Sequence, residues 1–322
     1  MEELYRSEGL DVEKILTSIK LVESDDDWDG ISSAAQVKFH FLTVKVTLSP
    51  NKIVESDSTT LVLDKRTNGK GWVIDHHTTS PHDKARLLCF STSGEVPTSR
   101  LTYLTLNKRL DADLFLSATA EITDELYRKG LDSGSLGELR IRAPYYFQQS
   151  PVSNQYLKDG EIYSMADVLD IISAYNSAYA FELALSFYKS LPKSFEELIG
   201  MLDADKKEHI EAYRKFINEF DFSYFETIDF AGREILMMDS GKIGKFYVPI
   251  LSIARRKKPG NYILFKGKKA SLRTNDLQLV DLVLKKLESI IINSGGRAGS
   301  YGILLKDGIT YEKFKELLTS DK

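Results

Sequence analysis

Cysteine is nearly absent: Cys89 is the single one in 322 residues. That excludes an internal disulfide and a thiolate zinc cage, so a metal site in this chain has to be built from carboxylate and imidazole, donors that suit hard divalent ions. Proline is scarce at 8 residues and glycine ordinary at 20, which excludes collagen-like and low-complexity chains. No stretch approaches the roughly 18 consecutive apolar residues of a membrane span. The opening MEELYRSEGL also lacks the basic and then apolar order of a signal peptide. The expectation is a cytoplasmic protein with no membrane partner. Neither charge dominates, the net being −4, so the chain as a whole has no attraction to nucleic acid. What remains is 42% hydrophobic and 28% charged, the balance of an ordinary folded protein with length for about two domains.

Charge is uneven along the chain. Before residue 30, Glu2, Glu3, Glu8, Asp11, Glu13, Glu23, Asp25, Asp26, Asp27 and Asp29 face only Arg6, Lys14 and Lys20, and their repulsion asks for a counter-cation. Residues 241–273 contain no acid yet carry ten Lys and Arg residues, which suits an anionic partner. Val12, Ile15, Ile19 and Val22 recur at helical spacing and predict an amphipathic helix leading into the acidic loop. After Gly30, ISSAAQVKFHFL predicts a helix capped by the loop's Asp and Ser residues. TTLVLD and GWVIDHH read as buried strands of a parallel sheet, and Leu101–Leu126 and Ser164–Ser190 as helical. A first domain of residues 1–190 is expected, then a linker helix within 191–221 (Phe195–Phe220), then a second domain of 222–322. In that second part GREILMMD, GKFYVPILSIA and NYILFKG read as strands. DLQLVDLVLKKLESIIINSGG reads as a helix ending on glycine and YEKFKELLTS as a short final helix.

Two clusters carry chemistry. In SDDDWDGISSAA, Asp27 and Asp29 lie two apart, so an extended backbone aims both at one point; acids at a helix N-terminus explain the same residues. In VIDHHTT, Asp75, His76 and His77 end an apolar strand. Side chains emerge there into the crevice outside the carboxyl ends of a parallel sheet, and together with the upstream pair they fit a mixed oxygen and nitrogen site for Mn²⁺ or a similar ion. His40, His82 and His209 have no second ligand type beside them at a strand end and read as surface or locally bonded. Cys89 reads as core.

In the order of these motifs the chain resembles the DHH phosphoesterase superfamily, which includes RecJ-type exonucleases, oligonucleotide phosphodiesterases and related phosphatases. The resemblance implies an α/β fold, with an N-terminal parallel-sheet domain and a smaller C-terminal α/β DHH-associated domain. It implies two divalent ions, Mn²⁺ or Mg²⁺, held by Asp27 and Asp29, by Asp64 in LVLDKR, by His76, and by Asp124 in ATAEITDEL. Asp75 would orient His76, and His77 would hydrogen-bond the substrate phosphate. SGGRAGSYGI, with Gly295, Gly296, Arg297 and Gly299, resembles the signature in which the second domain contacts phosphate; a turn is the plain alternative.

Two departures stand out. Glu23 occupies the place, four residues before the first metal aspartate, where the family has a histidine ligand. The strands ending at Asp64 and Asp75 are also joined by too few residues for a helical crossover. Asn68-Gly69 would suit a hairpin, which would set the two aspartates about 15 Å apart; an extended return would bring them together. The function implied is metal-dependent hydrolysis of single-stranded DNA or RNA or short oligonucleotides. The alternatives are a non-catalytic replication or repair factor serving as a helicase accessory subunit, with proteins of that machinery as partners, and a phosphatase for a small nucleotide or pyrophosphate.

Overall fold

The computed structural model describes residues 4–6, 9–50, 53–77, 86–91, 96–107, 110–124, 134–148, 160–243, 250–297 and 299–320. The chain forms two compact units, Met1–Glu211 and Ala212–Lys322.

The first unit runs β1 (Leu4–Arg6), α1 (Val12–Ser18), β2 (Leu21–Ser24), α2 (Trp28–His40), β3 (Lys45–Leu48), β4 (Ile53–Val54), β5 (Thr60–Leu63), β6 (Arg66–Thr67), β7 (Trp72–Asp75) and β8 (Arg86–Ser91). Helices α3 (Thr98–Leu106), α4 (Asp111–Thr123), α5 (Gly134–Arg142), α6 (Glu161–Tyr175), α7 (Ser177–Ser186) and α8 (Phe195–Met201) follow, and α9 (Ala204–Glu219) runs across the boundary between the units. Its main sheet has the order β1-β8-β7-β5-β2-β3. Strands β8, β7, β5, β2 and β3 are mutually parallel, and β1 pairs antiparallel at the edge. Because β3 lies on one side of β2 and β5 on the other, chain order reverses at β2. The crevice outside the carboxyl ends at such a reversal is where open α/β sheets bind ligands.

Every residue of β5 and β7 is buried, as the unbroken apolar runs require of strands covered on both faces. Val22, Ala34, Val37, Leu61, Leu63, Ile74, Leu88, Cys89 and Leu101 share one core cluster, so Cys89 is core, as expected. Helix α2 is buried from Trp28 to Val37 and packs against α3, α4 and α7. The small residues Ser32, Ser33, Ala34 and Ala35 permit that approach from several sides.

Several expectations are corrected. The helix expected to reach Val22 stops at Ser18, and Leu21–Ser24 is β2; the apolar spacing ran on because a strand also buries Val22. The stretch expected as a linker helix is two helices, α8 and α9, broken at Leu202 and Asp203.

The parallel strands β5 and β7 are joined by an extended return and not a hairpin. Its β6 pairs parallel with β4, Lys70 N–H donates to Ser56 O at 2.9 Å, and Gly69 lies so close to Ser56 that a Cβ would fall 1.9 Å from its carbonyl oxygen. Asn68-Gly69 is thus laced to an earlier segment and does not fold back on its own strand.

The second unit contains β9 (Glu226–Phe230), β10 (Arg233–Asp239), α10 (Ile250–Lys257), β11 (Asn261–Lys266), β12 (Lys269–Arg273), α11 (Leu277–Lys286), β13 (Ile291–Arg297), β14 (Ser300–Leu305) and α12 (Tyr311–Thr319). Its mixed sheet, β13-β14-β12-β11-β10-β9, is antiparallel except for the pair β10–β11. Leu279, Val280 and Val283 of α11 and Phe314 and Leu318 of α12 join the core of Ile235, Met237, Ile263 and Leu272.

The ILSIA expected in a strand begins α10. The helix expected to end on glycine ends at Lys286, and Ile291–Arg297 forms β13, because the β-branched Ile290, Ile291 and Ile292 favour a strand. The glycine-rich stretch is therefore a β13–β14 hairpin, with Gly295 opposite Gly302 and Arg297 opposite Ser300. Gly299 takes φ +87° in its turn, a conformation open to glycine.

Candidate metal centre

Four segments deliver carboxylates or imidazoles to the crevice at the reversal point. The loop after β2 carries Asp25, Asp27 and Asp29, with Asp27 as N-cap of α2 accepting from Gly30 N–H at 3.1 Å. Capping and clustering thus coincide on one residue. The chain turns tightly here: a Cβ on Gly30 would lie 2.5 Å from Asp25 O. Gly30→Ala is expected to cost about 1–3 kcal/mol, outweighing the helix preference for alanine, and a thermal melt would show it.

Asp64 follows β5 with φ 56°, Asp75, His76 and His77 end β7, and Asp124 caps the C-terminus of α4. His76 Nε2 lies 3.3 Å from Asp64 Oδ1, 3.5 Å from Asp124 Oδ2 and 3.9 Å from Asp29 Oδ2. His76 and Asp29 are each 1% exposed. One oxygen or nitrogen from each of Asp64, His76 and His77 lies within 4.8 Å of the others, and the same holds for Asp29, His76 and Asp124, and for Asp25, Asp27 and Asp64.

Asp29 is positioned by the start of α3. Its Oδ2 accepts from Thr98 N–H at 2.8 Å and its Oδ1 from Ser99 N–H at 2.9 Å. The N-cap residue there is Pro97, whose side chain makes no capping bond, so a carboxylate from α2 meets the positive end of α3. Thr98 Oγ1 donates to Asp64 Oδ1 at 2.9 Å. His77 Nδ1 is 2.7 Å from Asp75 Oδ1, which also accepts from His77 N–H at 3.2 Å. A carboxylate only accepts, so Nδ1 carries the proton and Nε2 lies on the other side of a ring that is 24% exposed. The resemblance had Asp75 orienting His76; the hydrogen bond described here orients His77.

Burial, then the charges of Asp64 and Asp124, push the Asp29 carboxyl up to about 7, with His76 and Ser99 N–H opposing. Asp27, although exposed at its own position, is raised above the ordinary carboxylate value by loss of water around the crowded carboxyl and by the charges of Asp64, Asp124 and Asp29. These acids resist ionising together, which is how a cluster built around a cation behaves without it. The donors are oxygens with imidazole nitrogen, and ligands on a small divalent ion sit about 3 Å apart across its coordination edges. The His76 distances are of that size, so the residues fit Mn²⁺ or Mg²⁺.

Glu23 belongs to none of these ligand groups among the described residues. In β2 the side chains of Val22 and Ser24 are buried while Glu23 is half-exposed, which places it on the opposite face. Asp25, by contrast, escaped the sequence reading, although Asp25 and Asp27 repeat the two-residue spacing of Asp27 and Asp29. The N–H groups of Thr98 and Ser99 were missed too; PTS is a helix-start signature that would have flagged them.

His40 is bonded locally, its Nε2 2.9 Å from Asp113 Oδ2, and His209 stacks on Tyr175 at 4.0 Å; His82 lies outside the described residues. In the second unit the acid-free run meets acids from elsewhere. Lys242 pairs with Glu226 at 2.9 Å, Lys258 with Glu234 at 3.1 Å and Lys268 with Asp307 at 2.5 Å. The Arg297 side chain lies outside the described residues. Beside the turn, Arg255 is 7% exposed and donates to Gly299 O at 3.2 Å and Asn275 Oδ1 at 2.9 Å.

No protein-family model and no curated protein sequence matches the chain. Solved structures do. A DHH-domain protein described as a member of a family of ribosomal proteins superposes with a TM-score of 0.63 at 13% identity, covering 95% of this chain and 87% of that one. This chain has the fold of the DHH-domain proteins. Exonuclease RecJ bound to manganese aligns at TM-score 0.50 and 14% identity over 96% of this chain and 91% of that one. RecJ of Thermus thermophilus in complex with Mg²⁺ gives 0.55 and 16% over 96% of this chain and 50% of its own length. Both units take part in the DHH fold, a parallel-sheet unit followed by a smaller mixed one, as the resemblance implied. Among the described residues, no helix is long and apolar enough to cross a membrane.

Proposed function

We propose that this protein is a metal-dependent phosphodiesterase that hydrolyses single-stranded nucleic acid or short oligonucleotides, using two Mn²⁺ or Mg²⁺ ions. The observation that carries this reading is the buried convergence of Asp29, Asp64 and Asp124 on His76 Nε2. The first ion is assigned to these four residues and the second to Asp25, Asp27 and Asp64, with Asp64 shared. When bound, such ions activate a water and neutralise charge developing on the phosphoryl group.

The chain's own residues do the rest. Thr98 and Ser99 N–H hold the Asp29 carboxylate in place. Asp75 fixes the His77 ring with Nδ1 donating to it, an arrangement that favours the imidazolium, whose Nε2–H would donate to a phosphoryl oxygen. The β13–β14 hairpin, with Gly295, Gly296, Arg297 and Gly299, is assigned to a phosphate of the substrate backbone, since glycine allows close backbone approach and guanidinium pairs with phosphate. In this assignment residues 1–190 carry the chemistry, 191–221 link, and 222–322 grip the substrate. The ion pairs of Lys242, Lys258 and Lys268 leave less of that grip to a diffuse lysine face. Glu23 is assigned to the rim of the site. A helicase accessory role would not require a histidine nitrogen aimed at three carboxylates.

The test is turnover by the purified protein, with Mn²⁺ and with chelator, on labelled single-stranded DNA, single-stranded RNA, short oligonucleotides and a mononucleotide side by side. Mn²⁺-dependent cleavage of a single strand or an oligonucleotide is expected. Release of phosphate from the mononucleotide alone would favour a phosphatase, and inertness in every arm would remove the enzymatic reading.

A further inference from the structure

Arg255 belongs to a basic run, Arg255–Lys258, in which Lys257 and Lys258 are exposed while Arg255 is buried, at 7%. It continues the face of α10 on which Leu251 and Ala254 are buried. Taking a guanidinium out of water is costly unless its hydrogen bonds offset the loss. Its planar fork serves two acceptors from different parts of the chain. Nη1 donates to Gly299 O at 3.2 Å, in the β13–β14 turn, and Nη2 donates to Asn275 Oδ1 at 2.9 Å, between β12 and α11. A Cβ on Gly299 would lie 3.7 Å from Asn275 Oδ1 and from Thr274 O, and 3.8 Å from Arg255 Nη2. Turn, loop and guanidinium therefore meet at one point.

The β12–α11 loop is firmly held. Thr274 is fully buried; its Oγ1 donates to Asn261 Oδ1 at 2.6 Å and accepts from Asp276 N–H at 3.0 Å. Asp276 in turn caps α11, accepting from Leu279 N–H at 3.1 Å, and pairs with Arg233 at 2.6 Å. The turn across the gap is of the opposite kind, since glycine gives a chain wide freedom that folding has to remove. Arg255 thus ties a glycine turn to a framework that is already fixed.

We propose that Arg255 is a positioning residue, which sets the Gly299 turn in its phosphate-binding geometry before a single strand arrives and does not itself meet the phosphate. This rests on the assignment of the β13–β14 hairpin to a substrate phosphate and adds to it the residue that orders the turn in advance. A turn ordered beforehand loses no further freedom on binding, so the gain appears as affinity for the strand. Losing it raises KM and leaves kcat in place. Lysine keeps the charge of Arg255 but lacks the planar fork, so it does not hold both acceptors.

The experiment uses the full chain as wild type, Arg255→Lys, Arg255→Gln, Asn275→Ala and the Arg255→Lys/Asn275→Ala double variant. Binding of labelled oligothymidylate and oligouridylate is measured by fluorescence anisotropy in chelator, and KM and kcat are measured with Mn²⁺ on whichever strand the wild type binds. Both Arg255 variants are expected to raise Kd and KM about tenfold with kcat held. Asn275→Ala should raise both about threefold, and the double variant should be no worse than Arg255→Lys, because the two residues act through one contact. Asn275 is exposed, so its variant decides the matter if the Arg255 variants do not fold. Wild-type affinity in Arg255→Lys would show that charge and not the fork acts there, and would overturn the proposal. Wild-type affinity in Asn275→Ala, effects that multiply fully in the double variant, or a fall in kcat with KM and Kd unchanged would overturn it as well. Each of these leaves the phosphate reading of the hairpin standing, whereas a wild type that binds neither strand would remove both.

Discussion

Asp29→Asn and His76→Ala should each weaken Mn²⁺ binding by more than the roughly 10–100-fold that loss of an outer partner of a metal ligand costs, and hydrolysis should fall at least as far. The reason is geometric. His76 Nε2 is the atom on which Asp29, Asp64 and Asp124 converge at 3.3–3.9 Å. Asparagine is the informative change at position 29, because it keeps an oxygen for the α3 N-terminus while removing the charge. Asp29→Ala would strand the buried N–H groups of Thr98 and Ser99 at about 1–3 kcal/mol each, and so would mix a folding defect with a metal defect. Calorimetric titration with parallel thermal melts separates the two. Wild-type Mn²⁺ affinity in a folded Asp29→Asn or His76→Ala would take these residues out of the site.

Without metal, the protein should become less stable as pH rises from 5 to 8. The sign follows from the direction of the shift. Asp29 is moved from 3.8 to about 7 by burial and by Asp64 and Asp124, and Asp27 moves the same way. The folded state then holds protons that the unfolded state has already lost. Stability from such a group is fully present below the unfolded pKa and is lost as pH rises through the folded one. For Asp29 alone the loss between pH 5 and 8 is about 2–3 kcal/mol, or about 5–10 °C in melting temperature for a domain of this size.

Mn²⁺ should reverse the trend, because it binds the ionised carboxylates and stabilises the folded state by mass action. The gap between melts in Mn²⁺ and in chelator should therefore widen toward pH 8, and Asp29→Asn should narrow it. A metal-free melting temperature that is flat or rising from pH 5 to 8 would show that the carboxylates are not held together in the way described.

The residues that cluster in the crevice were mostly legible in the sequence because their signals are local. Asp75, His76 and His77 adjoin an apolar run that forms a strand in any parallel sheet, and Asp27 and Asp29 precede a run of small and apolar residues that forms α2. The motif order then led to the DHH fold. Tertiary structure decided what depends on distant pairings. Whether Asp64 reaches His76 turned on β5 and β7 being parallel, which the lacing of Gly69 and Lys70 onto Ser56 enforces and no local signal announces.

The same holds at the remaining positions. Asp29 caps α3 across 69 residues of chain, and Arg255 reaches Gly299 across 44. Ile19, Val22 and Ile291 carry apolar periodicity compatible with either helix or strand, so which they become is settled by the sheet that receives them. The sequence by itself determined which chemistry-bearing residues the chain owns and the strand and helix ends on which they sit. Only the tertiary structure decided which of them share a crevice, because that depends on strand order, and strand order is a property of contacts between segments far apart in the chain.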